Sequence, residues 1–316
     1  MALSPYYGAS FLEFFIIFFS RMFSGKLFGE HLYIDDIQVI VFLVIACSGA
    51  LGGTFLVLKK MAMYAHAVSH TVLFGLVCIC LFSHQLMTLS LSALTLSAVV
   101  TALLTGFLIY FVRNTFRVSE ESSTALVFSL LFSLSLVLLV FMTKNAHIGT
   151  ELVLGNADSL TKEDIFPVCA VLFMNIIIIL GTLRSLTCVS FDSVFSTTIG
   201  IPVKIVDYLI VFQLSLCLVG AFKAVGVLMA LAFLLIPGLI AKILSQSILG
   251  MMGWSLVFSI TTAFLSPALS RSILSSVGVG LSTSGIAVLL LSLMYALVQT
   301  LLHGKIFVKK IIKKAT

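Results

Sequence analysis

The chain has 316 residues, of which 60% are hydrophobic and only 9% are charged, a composition that excludes an ordinary soluble globular domain. Its 18 Lys and Arg residues against 12 Asp and Glu residues give a net charge of +6. The charged residues border long uncharged stretches, so the positive excess indicates membrane topology and does not point to a nucleic-acid partner.

The uncharged stretches are continuous runs of Leu, Val, Ile and Phe, without the alternation typical of a membrane β-barrel. They predict an all-α polytopic membrane protein, a helical bundle of about eight to nine transmembrane helices. The predicted spans are 37–58, 67–83, 87–112, 125–142, 166–183, 205–221, 224–242, 252–270 and 283–302. Residues 1–36 are predicted to be an N-terminal interfacial segment, because their apolar patch is too short to span a bilayer. Residues 37–304 then form the transmembrane domain, and 305–316 a basic cytoplasmic tail.

The distribution of basic residues predicts the orientation of the bundle. With the lysine-rich tail in the cytoplasm, alternation of the spans places Lys59, Lys60 and Arg113 on the same side and Arg271 on the other. Nine spans would leave the N-terminus outside. The longest polar connection, 143–164, falls on the outer side and is long enough to receive a partner.

Residues 190–204 are predicted to form a short helix on the cytoplasmic face, with Ser190 as N-cap, Asp192 in the first turn and Gly200 after the end. Its apolar face would consist of Phe191, Val194, Phe195 and Thr198, which follow helical spacing. Composition leaves three surfaces open for this face: the bilayer, the chain's own helices, or a groove in a soluble partner.

Two further features concern helix packing. Gly49, Gly52 and Gly53 lie in one apolar span and predict a close approach of a neighbouring helix. Pro237 interrupts another span, where it forms either a packed kink or a gating hinge.

His66 and His70 are the candidate metal ligands. They are four residues apart at the head of a predicted span, so both imidazoles project from one helical face. Each neutral imidazole offers one nitrogen lone pair, and two ligands leave a tetrahedral site incomplete. A two-fold dimer with this helix on its axis would bring four imidazoles together. The alternative is a structural pair that hydrogen-bonds nearby carbonyls or water.

The sequence lacks the motifs of the two enzyme classes considered, an intramembrane zinc protease and an ATPase. An intramembrane zinc protease requires H-E-x-x-H, and Ala67 stands where the general base would be. The chain also lacks a phosphate-binding G-x-x-x-x-G-K-[ST] loop, so we expect no enzyme activity and no ATP hydrolysis by this subunit.

Several segments resemble the zinc/manganese/iron-type ABC transporter permeases. The basic pair Lys59-Lys60 followed by Met61 to Gly75 is similar to the family motif M-A-L-x-G-D-A-x-S-H-x-x-L-P-G. Phe191-Asp192 with Gly200 resembles the family's helix that docks on the ATPase. The segment from Ala224 to Pro237 is similar to G-V-L-L-x-x-A-L-L-I-I-P. The resemblance runs from about residue 37 to 302.

The resemblance implies a permease subunit of a binding-protein-dependent ABC importer for a divalent transition metal, Zn, Mn or Fe, in the bacterial inner membrane. It implies His70 as a metal ligand and His66 by position, because the family's Gly-Asp is Ala65-His66 here. The implied ATPase-coupling residues are Phe191, Asp192, Val194, Phe195 and Gly200, and Gly226 and Pro237 are the gating or hinge positions.

The partners implied are soluble ATP-binding subunits, an extracytoplasmic metal-binding protein, a second permease chain and the lipid bilayer. No tightly bound cofactor is expected, since the metal ion is the substrate. Replacing a carboxylate with an imidazole favours Zn²⁺ or Fe²⁺ over Mn²⁺. The alternative function is a gradient-driven secondary carrier or channel. Such carriers usually hold an intramembrane Asp or Glu, and in the assigned spans only Asp207, near one end, is of this kind.

Overall fold

In a computed structural model of the chain, residues 5, 6, 8, 10–24, 32–83, 91–143 and 160–315 are described, and these residues form helices and no strand. The α-helices are α1 (Phe11–Phe23), α2 (Ile34–Leu58), α3 (Ala62–Ser83), α4 (Leu91–Phe116), α5 (Glu120–Thr143), α6 (Ile165–Phe191), α7 (Ser193–Thr198), α8 (Val203–Val225), α9 (Val227–Leu244), α10 (Ile248–Val277) and α11 (Thr283–Ala315). A 3-10 turn, Lys162–Asp164, precedes α6. The prediction of an all-α bundle is confirmed.

Within the described residues, eight helices are long and apolar enough to cross a membrane, by length and composition alone: α2 to α6 and α9 to α11. The predicted span 205–221 falls in α8, which is not among the eight found over the described residues. Most of the predicted loop 143–164 lies outside the described residues. The last helix continues to Ala315, through the predicted tail.

The first predicted boundary is displaced by ion pairing. Helix α2 begins at Ile34 and includes Asp35 and Asp36, both buried, which the sequence assigned to the segment outside the span. Asp36 is paired with Arg21 of α1 and Asp35 with Arg271 of α10. Because a buried carboxylate needs a cation and hydrogen bonds, these arginines allow the helix to start within the folded bundle.

Helix α2 lies at the centre of the bundle, in contact with α6, α8, α9 and α10, whereas α3 packs chiefly against α4 and α5. The short helix α1 places Phe14 and Phe18 against Val39 of α2 and Ala268 of α10. At 13 residues α1 is too short to cross a bilayer. Its interfacial location stays a prediction.

The close approach predicted for the glycines of α2 is observed against α9. A side chain at Gly53 would collide with the carbonyl oxygen of Leu234, and a Cβ at Gly49 would lie 3.0 Å from the carbonyl oxygen of Phe233. Pro237 has no N–H, so the Phe233 carbonyl loses its helical donor four residues on. The two helix backbones are therefore in direct contact where α9 carries its proline.

The chain reverses direction at Gly226. Helix α8 runs antiparallel to α2, since Asp207 pairs with Lys59 and Cys217 meets Ser48. Helix α9 runs parallel to α2, as shown by the successive approaches of Phe233, Leu234 and Gly238 along it. Gly226, the single residue between the two helices, has φ +82° and ψ 168°. Only glycine adopts this conformation readily, so one residue makes the turn.

The predicted helix 190–204 is wrong in its bounds. Ser190 is not an N-cap, because α6 continues through it to Phe191. Leu186 and Val189 are buried in an apolar cluster, which keeps this last turn of α6 helical. Asp192 is the N-cap instead, with extended backbone at φ −146° and ψ 106°, and α7 covers only Ser193–Thr198.

Candidate metal-transit site

Helix α3 places the two candidate ligands side by side. It begins at Ala62, directly after the turn that ends α2, and buries Ala65, Val68 and Val72. His66 and His70 project from another face, with ring centroids 4.7 Å apart and ring planes 75° apart. His66 is exposed in the single chain and His70 is half-buried. The same-face geometry predicted from their spacing is therefore observed.

Two phenylalanines of α5 line the other side of the histidine pair. The Phe128 ring lies 5.6 Å from His66 and 5.7 Å from His70, and the Phe132 ring lies 5.4 Å from His70. The two phenylalanine rings are stacked at 5.6 Å. The imidazoles thus stand against an aromatic wall, which has no hydrogen-bond acceptor to hold them by their ring nitrogens.

The Nδ1 atom of His70 is buried and has no hydrogen-bond partner in the described structure. A buried polar atom without a partner costs about 1–3 kcal/mol, so this nitrogen needs an explanation. A metal ion in transit would provide the missing partner. Among the residues that the structure describes, no group of three or more His, Cys, Asp or Glu side chains comes together, so one chain offers only an incomplete ligand set.

The predicted coupling residues meet at one end of the bundle. Asp192 Oδ1 accepts hydrogen bonds from the N–H groups of Val194 and Phe195, at 2.9 and 3.0 Å. At the other end of α7, Gly200 has φ +82° and donates to the carbonyl of Thr197. The six-residue helix is thus closed at both ends by its own sequence.

The apolar side chains of this segment point away from the bundle. Phe191, Val194 and Phe195 are 66%, 71% and 56% exposed, whereas Ser196 is fully buried. The single chain therefore leaves the apolar face of this segment uncovered. Gly226 and Pro237, the predicted gating positions, belong to the chain reversal and to the α2–α9 contact described above.

Sequence reasoning missed two parts of this arrangement. Phe128 and Phe132 are two of many phenylalanines in the chain. The available signal was their four-residue spacing, which places both on one face of α5, the second span after the histidine-bearing α3. The ion pair between Lys59 and Asp207 joins residues 148 positions apart. The available signal was Asp207 itself, a single carboxylate near the start of a predicted span, which needs a basic partner.

Comparisons with known proteins agree with these observations. A family model described as the ABC 3 transport family matches residues 33–301. A probable metal transport system membrane protein of Chlamydia pneumoniae is 71% identical over 311 residues, which cover 98% of this chain and 96% of the relative. The manganese transport system membrane protein MntD of Bacillus subtilis is 32% identical over 224 residues, 66% of this chain and 74% of the relative.

Among solved structures, PsaBC from Streptococcus pneumoniae in complex with Fab superposes with a TM-score of 0.73 at 21% identity. The match covers 90% of this chain and 95% of that chain. At this level of identity the likeness concerns the fold, and it supports the helical architecture described above.

Proposed function

Because the chain belongs to the ABC 3 transport family, we propose that it is the permease subunit of a binding-protein-dependent importer of divalent transition metal ions, driven by ATP. The Chlamydia pneumoniae relative is named as part of a metal transport system and the Bacillus subtilis relative as part of a manganese transport system. The bacterial cytoplasmic membrane is the proposed location.

The observation that carries this proposal is the pair His66 and His70 in the wall of a membrane helix, with a buried, unpartnered Nδ1 on His70. Ionisable side chains in a membrane are costly and lie on substrate pathways far more often than in lipid. The ion would bind the imidazoles briefly, since a transit site must release what it binds.

The ligand set suggests the class of ion. Imidazole nitrogens suit Zn²⁺ and Fe²⁺ better than Mn²⁺, which prefers carboxylate oxygens. A separate metal-binding protein would select the ion before it reaches this site. The preference of the imidazoles for Zn²⁺ or Fe²⁺ therefore concerns passage through the permease and not the choice of ion delivered to it.

The second permease chain completes the site. His66 is exposed in the single chain, and an imidazole facing lipid would be unfavourable, so a neighbouring chain or a water-filled cavity must cover it. Two chains related by a two-fold axis would contribute four imidazoles, the number that a tetrahedral ion requires.

The ATP-binding subunits would dock on α7. Exposed Phe191, at the end of α6, and Val194 and Phe195 of α7 fit a helix-in-groove contact, and ATP hydrolysis would take place in those separate subunits. An extracytoplasmic metal-binding protein would deliver the ion to the opposite end of the bundle.

Transport in proteoliposomes tests the proposal. The chain is reconstituted with its ATP-binding subunits and its metal-binding protein, and uptake of Zn²⁺, Fe²⁺ and Mn²⁺ is measured with ATP. We expect ATP-dependent uptake that falls to background in His70→Ala and persists in Met63→Ala, a matched change of an exposed residue on the same helix. Normal uptake by His70→Ala would remove the ligand assignment.

The same vesicles distinguish the gradient-driven alternative. A secondary carrier would transport metal without the ATP-binding subunits and would stop when a protonophore collapses the proton gradient. We expect the reverse on both counts.

A further inference from the structure

The end of α2 and the start of α8 are joined by an ion pair. Lys59 Nζ donates to Asp207 Oδ1, across 148 positions of sequence. The Lys59 side chain is only 12% exposed, while that of Asp207 is 45% exposed. The amino group is therefore largely withdrawn from water, and the carboxylate is its compensating charge.

A second ion pair on the same side of the bundle provides a comparison. Arg113 Nη1 and Glu120 Oε2 are 2.8 Å apart, and both side chains are about half exposed. This pair connects the end of α4 to the start of α5, consecutive helices separated by a short turn. The Arg113–Glu120 pair therefore joins neighbouring parts of the sequence, whereas the Lys59–Asp207 pair joins two helices that are distant in sequence.

The ion pair lies beside the packing that supports the short helix α7. One apolar cluster contains Phe55 of α2, Val189 of α6, and Val206 and Ile210 of α8, with Leu58 packed against it. Helix α7 contacts both α6 and α8. A force applied to α7 therefore reaches the start of α8 through well-packed side chains, which transmit strain, and the ion pair connects Asp207 there to Lys59, the C-cap of α2.

The connection from α2 to α3 is a short turn held by backbone hydrogen bonds. Lys60 has a left-handed backbone at φ +60°, its N–H donates to the carbonyl of Val57, and the N–H of Met61 donates to the carbonyl of Leu56. A lysine in this conformation is strained and is held there by the two bonds. Helix α3 begins one residue later and carries His66 in its second turn.

We propose that the ion pair between Lys59 and Asp207 is the mechanical link that passes movement of α7 to the histidine pair on α3. This inference rests on the proposed function, because it assigns α7 to the ATP-binding subunits and His66 and His70 to the ion. Lys59 and Asp207 are positioning residues: they act on the site through the rigid turn and do not touch the ion.

The test measures the number of metal ions transported per ATP hydrolysed by the full complex in proteoliposomes. The variants are Lys59→Ala, Asp207→Ala and the charge-exchanged double variant Lys59→Asp with Asp207→Lys. Arg113→Ala is the matched control, since it breaks the other ion pair on this side. Size-exclusion chromatography reports whether each complex assembles.

We expect each single variant to retain ATP hydrolysis while the transport ratio falls at least about five-fold, the lower range of a coupling between two sites. The double variant should recover most of the ratio, and Arg113→Ala should leave it unchanged. A merely structural pair would change assembly and not the ratio.

Two results would overturn the inference. One is a wild-type ratio in both single variants. The other is loss of assembly in the single variants, with or without recovery in the double variant, which would make the pair structural. A wild-type complex that transports no metal would instead contradict the proposed function, so the two failures are distinguishable.

Discussion

Arg21 on α1 donates through Nη2 and Nε to the same carboxylate oxygen, Oδ2 of Asp36 on α2, at 2.8 and 3.2 Å. Tyr6 donates its hydroxyl to the other oxygen of Asp36 at 2.6 Å. The guanidinium also lies 4.6 Å from the centre of the Tyr33 ring. One buried carboxylate thus fixes the N-terminal helix to the first turn of the central helix.

Arg21→Ala should release α1 from the bundle. The change leaves the Asp36 carboxylate buried without its cation, a loss of about 3–5 kcal/mol for a buried pair. Thermal unfolding in detergent and limited proteolysis between α1 and α2 measure the effect. Arg113→Ala, which breaks an exposed pair worth about 0–1 kcal/mol, is the control. Equal stability of the two variants would contradict the role given to the pair between Arg21 and Asp36.

Gly53→Ala should destabilise the bundle by disturbing the α2–α9 contact. The new methyl group would meet the Leu234 carbonyl, a backbone atom that cannot rotate away, and overpacking of this kind costs about 1–3 kcal/mol. Gly181→Ala is the matched control, because no atom lies within 4 Å of its added methyl group. Thermal unfolding of the two variants checks the difference, and an unchanged Gly53→Ala would mean that the helices separate easily.

Gly226→Ala should fail to make the reversal between α8 and α9 without strain. At φ +82° and ψ 168° a side chain costs about 1–3 kcal/mol. Gly253→Ala, with open space at the added methyl group and no left-handed backbone, should be neutral or slightly stabilising. The yield of folded protein and its melting temperature report the outcome. A Gly226→Ala protein as stable as Gly253→Ala would show that the turn adapts.

Asp192→Ala should weaken docking of the ATP-binding subunits. The carboxylate caps α7 through two N–H groups, and losing such a cap costs about 0.5–2 kcal/mol. Asp192→Asn retains a capping oxygen and should behave like the wild type. Co-purification of the ATP-binding subunits measures the effect. If the asparagine variant loses binding as the alanine variant does, the negative charge and not the cap is required.

Local sequence pattern predicted what depends on local geometry. The spacing of His66 and His70 defines a shared helical face, because four residues complete about one turn. Gly200 was correctly placed after the short helix, since few other residues adopt its left-handed backbone. Long uncharged runs predicted where each span lies, but α6 ends at Phe191, α10 at Val277 and α11 at Ala315, well past the predicted ends 183, 270 and 302.

Long-range contacts could not be predicted in this way. Nothing around Lys59 identifies Asp207 as its partner, and nothing around His70 selects Phe132 from the other apolar residues of α5. The start of the short helix was misplaced for a related reason. Ser190 and Asp192 are both good N-caps, and the burial of Val189, a tertiary effect, decides between them.

The contact between α2 and α9 also limits how the protein can move. Gly49 and Gly53 have no side chains, and they meet main-chain atoms of Phe233 and Leu234, so at these two positions no side chain can repack during a conformational cycle. We therefore expect α2 and α9 to move together as one rigid unit that includes Pro237. Of the two predicted gating positions, we therefore expect a hinge at Gly226, which precedes α9, and not at Pro237, which is packed within this unit.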